Sequence, residues 1–318
     1  MEQFKTFGRY TFDDNKYTFY NGGSGLSFCV SAKSVRVSVT PKPKNSYYYV
    51  IIDKKYDNKM KFNGKNPVFS IGFNDFEQHY IDIIKANESN DSQLEISDIE
   101  IEGGLFDYDS DHKYKVKVYG DSTVAGYGIL AHKGQPTRDT CDSVSDFCFK
   151  ALYQLGYDFD IFSASGWGLA FSDYTEPKTV GIIDYKDKLC VHSDVEFKDN
   201  NKADLLIISL GTNDYSYIKL EDSKNREERF KQAYKQLIDD ELKNNKDMKI
   251  LMVYGTLKEE NLYPLIESTY EYLKPLYPNL YIHKFDGDNS GQENHAYVSK
   301  HNKMAIELKK VIKEIMQK

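Results

Sequence analysis

"KVKVYGDSTVAGYG", Lys115–Gly128, holds the change of pattern on which the fold turns. Lys115 to Tyr119 reads as a strand; Gly120, Asp121 and Ser122 then break it, and small residues lead to Gly126 and Gly128. Glycine ends strands, and Asp or Ser caps helices, so a tight strand-to-helix turn accounts for the stretch. A serine on such a turn also stands at the carboxyl end of a strand, where its hydroxyl could serve as a nucleophile. The two readings are compatible, and the remainder of the chain decides between them.

Upstream of this turn the pattern has period two. In "SVRVSVT", Val35, Val37 and Val39 fall on one face by strict alternation. "YYYVIID", "NPVFSIGF", "QHYIDIIKA" and "QLEISDIEIEGG" are further short runs of β-branched and aromatic residues, separated by Asn, Gly, Asp and Lys clusters. No helical period stands out, so residues 1–112 are expected to form a β-sandwich. The polar segment Asp107–Lys113 marks the boundary. Downstream, residues 113–318 alternate strands with helices. "YKVKVYG", "DFDIFSA", "DLLIISLG", "MKILMVYG" and "NLYIHKF" read as strands. Helical spacing appears at Val144–Leu155, closed by Gly156, again from Arg226 to Asn244, and in an amphipathic stretch from Tyr297 onward. This alternation predicts a mainly parallel sheet between helices. Between Gly168 and Asp204 the pattern lapses into a long loop, the kind that often lines a site.

Ligands of open α/β sheets bind beyond the carboxyl ends of the strands. The residues delivered there are Gly120-Asp121-Ser122, then Ser165-Gly166-Trp167-Gly168, then Gly211-Thr212-Asn213-Asp214, and finally "DGDNSGQENHAYVSKH", with His295 just ahead of the last helix. Each piece alone is an ordinary turn or cap. Together they supply a nucleophile, a base and donors for a developing oxyanion, which is what acyl transfer needs. Trp167, the only tryptophan, suits either core packing or a face for sugar stacking. With Asp214 it is the candidate substrate contact.

In order and over about 200 residues, "GDSTVAGYG", "SASGWG", "SLGTND" and "NHAYVSKH" resemble the four blocks of the SGNH (GDSL-like) hydrolase superfamily. The N-terminal "GRYTF", "NGGSGLSFCV" and "SVRVSVT" resemble the first strands of carbohydrate esterase family 2, in which a jelly-roll domain precedes a three-layer α/β/α SGNH-hydrolase domain. The resemblance implies Ser122 as nucleophile, His295 as general base, and an oxyanion hole made by the backbone N–H groups of Ser122 and Gly166 with the Asn213 amide. It departs from the superfamily at the acid: Gln292 stands three residues before the histidine where Asp is usual, and Ala296 replaces the usual proline. A Ser-His dyad with a backbone carbonyl orienting the histidine is therefore expected, with Glu293 as the candidate acid if a triad exists. The implied function is a serine esterase removing O-acetyl groups from carbohydrates such as xylo- or manno-oligosaccharides. The alternatives are a carbohydrate-binding protein with impaired catalysis, or a lipase or thioesterase acting on another acyl ester.

The remaining patterns remove other classes. Val124 stands where the α/β-hydrolase elbow needs glycine, the Gly120–Gly128 stretch has no P-loop lysine, and Phe171 spoils a dinucleotide fingerprint at "GWGLAF". A net charge of −7 disfavours nucleic acid. No run approaches the roughly 20 apolar residues of a membrane span, and the N-terminus shows no secretory pattern. Four cysteines without a CxxC pair fit reduced thiols in a cytoplasmic protein. No metal or cofactor is expected, and His301 is expected to be a helix-face residue beneath the site.

Overall fold

In a computed structural model the chain is described except at residues 1–2, 66, 91, 109–112, 133, 135–139, 173–174, 176–177, 199–201, 221–222 and 318. The alternation at Val35, Val37 and Val39 lies on one long strand that organises the N-terminal part. That part contains β1 (Phe4–Phe7), β2 (Tyr10–Asp13), β3 (Lys16–Phe19), β4 (Gly25–Lys42), β5 (Tyr47–Ile52), β6 (Met60–Asn63), β7 (Val68–Gly72), β8 (His79–Lys85) and β9 (Gln93–Phe106). All of its pairings are antiparallel, in the order β2-β3-β9-β4-β8-β5-β6 with β1 and β7 also on β4. The first part of β4 runs between β1 and β8, its later part between β7 and β9, with a register shift between Ala32 and Ser34. One strand thus serves two layers, and Leu26, Phe28, Ile81 and Ile83 share a core with Val35, Val37, Phe69 and Ile96. This is the two-layered antiparallel architecture that the period-two pattern predicts. From Ser31 onward β4 alternates between covered and open positions, whereas Gly25–Val30 is buried throughout. Nearby Phe7, Tyr47, Tyr49, Ile84 and Ala86 belong to an apolar cluster that continues into the second half of the chain.

Among the described residues that second half holds five parallel strands: β10 (Lys115–Gly120), β11 (Asp158–Ser163), β12 (Leu205–Ser209), β13 (Lys249–Tyr254) and β14 (Leu280–Lys284), in the order β11-β10-β12-β13-β14. The helices are α1 (Ser122–Ala125), α2 (Phe147–Leu155), α3 (Thr212–Ile218), α4 (Ser223–Leu242), α5 (Tyr263–Leu273) and α6 (Val298–Met316). The pleat sends alternate residues to opposite faces. Val116, Val118, Ile207 and Leu251 pack with α2 and α6, while Tyr119, Leu206, Ile208 and Met252 pack with α4 and α5. Both faces are therefore covered, as a parallel sheet requires. The order reverses between β10 and β12, which makes the crevice outside their carboxyl ends the expected ligand position.

The predicted strands and the helices at α2, α4 and α6 are present. α2 begins at Phe147 rather than Val144, because Asp146 caps it by accepting from the N–H groups of Cys148 (2.6 Å) and Phe149 (3.2 Å). α5 was not anticipated; its Tyr-rich sequence hides the four residues, Leu265, Ile266, Thr269 and Leu273, that it buries. The boundary segment lies partly outside the described residues, at 109–112. All four cysteines are free and buried. Among the described residues no helix is long and apolar enough to cross a membrane.

A buried ion pair ties β10 to α4. Lys117 Nζ meets Glu241 Oε2 at 2.8 Å, and Tyr119 Oη donates to Glu241 Oε1 at 2.6 Å. Breaking a buried pair by removing one partner is strongly destabilising, so Glu241→Ala should lower stability by about 3–5 kcal/mol. The paired substitution Lys117→Met with Glu241→Leu should recover most of that loss; urea unfolding of the three proteins checks both statements.

Candidate active site

Ser122 is the first residue of α1, directly past β10. The turn is tight enough that a Cβ on Gly120 would lie 2.4 Å from Val124 Cγ2, so only glycine allows α1 to fold back over the strand end. Asp121 caps the turn, accepting from the Thr123 N–H at 3.0 Å and the Thr123 hydroxyl at 2.9 Å. Those bonds occupy Asp121, and the Ser122 hydroxyl meets a different partner.

His295 comes from the loop between β14 and α6. Its Nε2 lies 2.7 Å from Ser122 Oγ, and its Nδ1 lies 3.0 Å from the backbone oxygen of Glu293. A carbonyl oxygen only accepts, so Nδ1 carries the hydrogen and Nε2 is the acceptor toward the serine. The carbonyl is aimed by the backbone: Glu293 (φ 47°, ψ 42°) and Asn294 (φ 63°) are both left-handed, and the turn is tied by Gly291 N–H to His295 O (2.8 Å) and His295 N–H to Gln292 O (2.9 Å). Burial pushes the imidazole below its ordinary value of 6.5, and the Asp121 carboxylate pulls in the other direction. The Tyr127 ring packs 5.0 Å from the imidazole.

The candidate oxyanion donors sit on neighbouring strand ends. Gly120 is level with Ser163 of β11 and Ser209 of β12, so Ser122, Gly166 and Asn213 occupy one rim. The backbone N–H groups of Ser122 and Gly166 make no hydrogen bond to a described residue. Gly166 has φ +79°, a conformation that suits glycine. Asn213 Nδ2 donates to Trp167 O at 3.1 Å, which fixes the amide and commits one of its two hydrogens.

Three candidate side chains point away from the contacts considered for them. The Trp167 side chain is only 4% exposed and packs edge-on against Tyr185 and His192, so it offers no open face to a sugar. Asp214 is fully buried; its carboxylate accepts from the N–H groups of Leu169 (2.8 Å), Ala170 (2.7 Å) and Phe171 (3.0 Å), and burial pushes its pKa up to about 7. It holds the loop after β11 in shape from beneath. The Glu293 carboxylate turns away from His295 and accepts from Tyr127 Oη at 2.9 Å, so the residue acts on the histidine through its main chain. His301, on α6, is buried against Phe147, with burial pushing it down to about 3. Among the described residues no three His, Cys, Asp or Glu side chains are grouped to hold a metal ion. Sequence reading missed Glu88, Asn90 and His192, which approach the Ser165-Gly166 turn from distant parts of the chain; nothing in their local sequence marks them.

A serine hydroxyl 2.7 Å from an imidazole, beside N–H groups that make no hydrogen bond to a described residue, at the switch point of a parallel sheet, is the inventory that acyl transfer needs. The sequence profile described as GDSL-like Lipase/Acylhydrolase matches residues 118–318, and the chain belongs to that family of carboxylic ester hydrolases. The profile described as Carbohydrate esterase 2 N-terminal matches residues 6–107. No curated protein matches the chain. Among solved structures, a family two carbohydrate esterase from Clostridium thermocellum, an active-site mutant with a bound cello-oligosaccharide, has TM-score 0.83 at 20% identity, covering 98% of both chains. The family two carbohydrate esterase from Cellvibrio japonicus has TM-score 0.82 at 21% identity, covering 99% of this chain and 96% of its own. An acetyl xylan esterase from Butyrivibrio proteoclasticus has TM-score 0.84 at 15% identity, with coverage of 99% and 96%.

Two outcomes follow from the histidine's surroundings. Glu293→Gln keeps the backbone carbonyl, so kcat should fall by no more than about threefold, whereas a carboxylate orienting a triad histidine is worth about four orders of magnitude. The base must be neutral to accept a proton, and its pKa is lowered. The acid limb of the kcat/KM profile should therefore have its midpoint below 6.5, read from initial rates between acidic and neutral pH.

Proposed function

We propose that this protein is a carbohydrate O-acetyl esterase acting through an acetyl-enzyme. The observation that carries the reading is the 2.7 Å contact between Ser122 Oγ and a histidine whose other nitrogen is held by the Glu293 carbonyl. A serine hydroxyl is too weak an acid to attack an ester unaided near neutral pH, and a neutral imidazole at that distance supplies the missing base.

In this reading Ser122 Oγ attacks the acetyl carbonyl as His295 Nε2 takes its proton. The oxyanion of the tetrahedral intermediate lies against the N–H groups of Ser122 and Gly166 and the free hydrogen of Asn213 Nδ2. His295 then protonates the departing sugar oxygen, and the C–O bond to the sugar breaks. Water repeats the cycle on the acetyl-enzyme, releasing acetate and restoring the serine. The choice of a carbohydrate substrate rests on the family 2 N-terminal match at residues 6–107 and on neighbours that include a cello-oligosaccharide complex and an acetyl xylan esterase.

Acetate release from acetylated xylo-, manno- and gluco-oligosaccharides tests the proposal. The wild type should release acetate from at least one of the three, with a sharp preference for acetyl over longer acyl esters, and Ser122→Ala should lose activity by about a thousandfold or more. Asn213→Ala should lower kcat by about a hundredfold or more, as removal of an oxyanion donor does elsewhere. Equal rates for wild type and Ser122→Ala would end the esterase reading, and a preference for long acyl chains would move the substrate to lipid.

A further inference from the structure

The two peptide units that meet at Ser165, the second of them joining it to Gly166, are each held by a side chain from the N-terminal half of the chain. Asn90 Nδ2 donates to the Ser165 carbonyl oxygen at 3.1 Å. Glu88 Oε2 accepts from the Ser165 N–H at 2.9 Å. Both residues lie in the connection between β8 and β9, some 75 residues earlier in sequence. That connection is itself anchored. The buried Lys85 ammonium donates to the backbone oxygens of Asn87 and Glu88, and Asn87 Oδ1 accepts from Tyr47 N–H at 2.8 Å. On its other side Asn90 Oδ1 lies 2.6 Å from His192 Nε2, and the His192 ring meets the edge of Trp167, the residue after Gly166. An amide oxygen only accepts, so His192 donates, and this fixes the Asn90 amide with its NH₂ toward Ser165.

The carbonyl that Asn90 holds and the N–H of Gly166 belong to one amide. A hydrogen bond accepted at the oxygen draws electron density toward it and makes the N–H a better donor, by roughly 10–30% for each bond in such a chain. It also fixes the plane of the amide, and with it the direction of the N–H. The Glu88 carboxylate, 2% exposed, fixes the preceding amide in the same way.

We infer that Asn90, supported by Glu88, is a positioning residue for the Gly166 oxyanion donor, so that the N-terminal half of the chain completes the catalytic apparatus; this rests on the proposed role of Gly166. Asn90 is exposed at the surface apart from these bonds, so its replacement leaves the cores untouched.

The test is steady-state hydrolysis of 4-nitrophenyl acetate by the full chain, paired with inhibition by an alkylboronic acid, whose serine adduct places an oxygen where the oxyanion forms. Asn90→Asp keeps the size and removes the donor; kcat should fall about tenfold with KM within twofold, and the boronate inhibition constant should rise in proportion. Asn90→Ala should match it. Glu88→Gln retains an acceptor for the Ser165 N–H and should stay within about threefold of wild type, while Glu88→Ala should lose activity with the same kcat signature. Wild-type kcat in Asn90→Asp, or a raised KM at unchanged kcat, would overturn the inference, the second by making Asn90 a substrate contact. A loss of kcat without weakened boronate binding, or one that tracks a lowered melting temperature, would overturn it also. Ser122→Ala in the same assay separates the two levels: if it retains wild-type activity, the serine mechanism fails whatever Asn90 does.

Discussion

The chemistry proposed for this site hangs on one neutral hydrogen bond, from His295 Nδ1–H to the main-chain oxygen of Glu293. It selects the tautomer that leaves Nε2 free to face Ser122. A carboxylate in that place would add a full negative charge and hold the imidazole's pKa up. A carbonyl contributes only a dipole, so burial dominates and the base stays neutral further into the acid range. The weakness of the dipole is offset by rigidity. Two consecutive residues are held at positive φ, a conformation that costs of order 1 kcal/mol or more at each, and two main-chain hydrogen bonds around Gly291 and His295 keep them there.

This explains which parts of the site were legible in the sequence. The strands announced themselves because both faces of the parallel sheet are buried, giving runs such as "LLIIS" in β12. The reactive side chains were legible because strand ends mark the rim. What the linear pattern withholds is direction. Trp167 and Asp214 stand on the rim by position, yet one side chain turns into the core and the other folds under the loop to satisfy three backbone N–H groups. Glu293 is the sharper case, since its contribution comes from a main-chain atom that every residue possesses, and its side chain misleads. α5 escaped notice for a related reason: Tyr263 and Tyr270 are half-buried by the rest of the fold while Tyr272 stays exposed, which no local period reports.

The Asp214 cradle and the Asn213 amide show how the site is held without metal-like anchors. Adjacent residues on α3 divide the work. Asp214 binds the backbone of Leu169, Ala170 and Phe171, while Asn213 binds the carbonyl of Trp167, so the segment after β12 grips the loop after β11 at four residues between Trp167 and Phe171. Gly168, inside that span, cannot carry a Cβ because it would lie 2.4 Å from Asp214 Oδ2. Shaping is thus concentrated on the carboxyl side of Gly166.

On the amino side of Gly166 its own half of the chain supplies main-chain bonds, Ala164 N–H to Gly120 O and Trp167 N–H to Ala164 O, both 3.3 Å, and there the antiparallel half adds the side chains of Glu88 and Asn90. The apolar cluster shared by Phe7, Tyr49, Tyr56, Val144, Phe147 and Phe149 joins the two halves over a wide area. Tyr49 Oη to Asp142 (2.8 Å) and Tyr56 Oη to Val144 O (2.7 Å) fix their relative orientation. Further along the same junction Arg9 is buried against Asp160 at 3.0 Å and donates to the backbone oxygen of Lys186 at 2.6 Å, and Asn21 donates to Leu189 O at 2.8 Å. These contacts hold the long, largely irregular segment after Gly168 in the position that lets His192 reach Asn90. An oxyanion donor needs its direction set to within a fraction of an ångström before the substrate arrives. A loop fastened on one side by α3 and on the other by the β8–β9 connection meets that requirement, and neither fastening would suffice while the opposite side of the turn remained free to move.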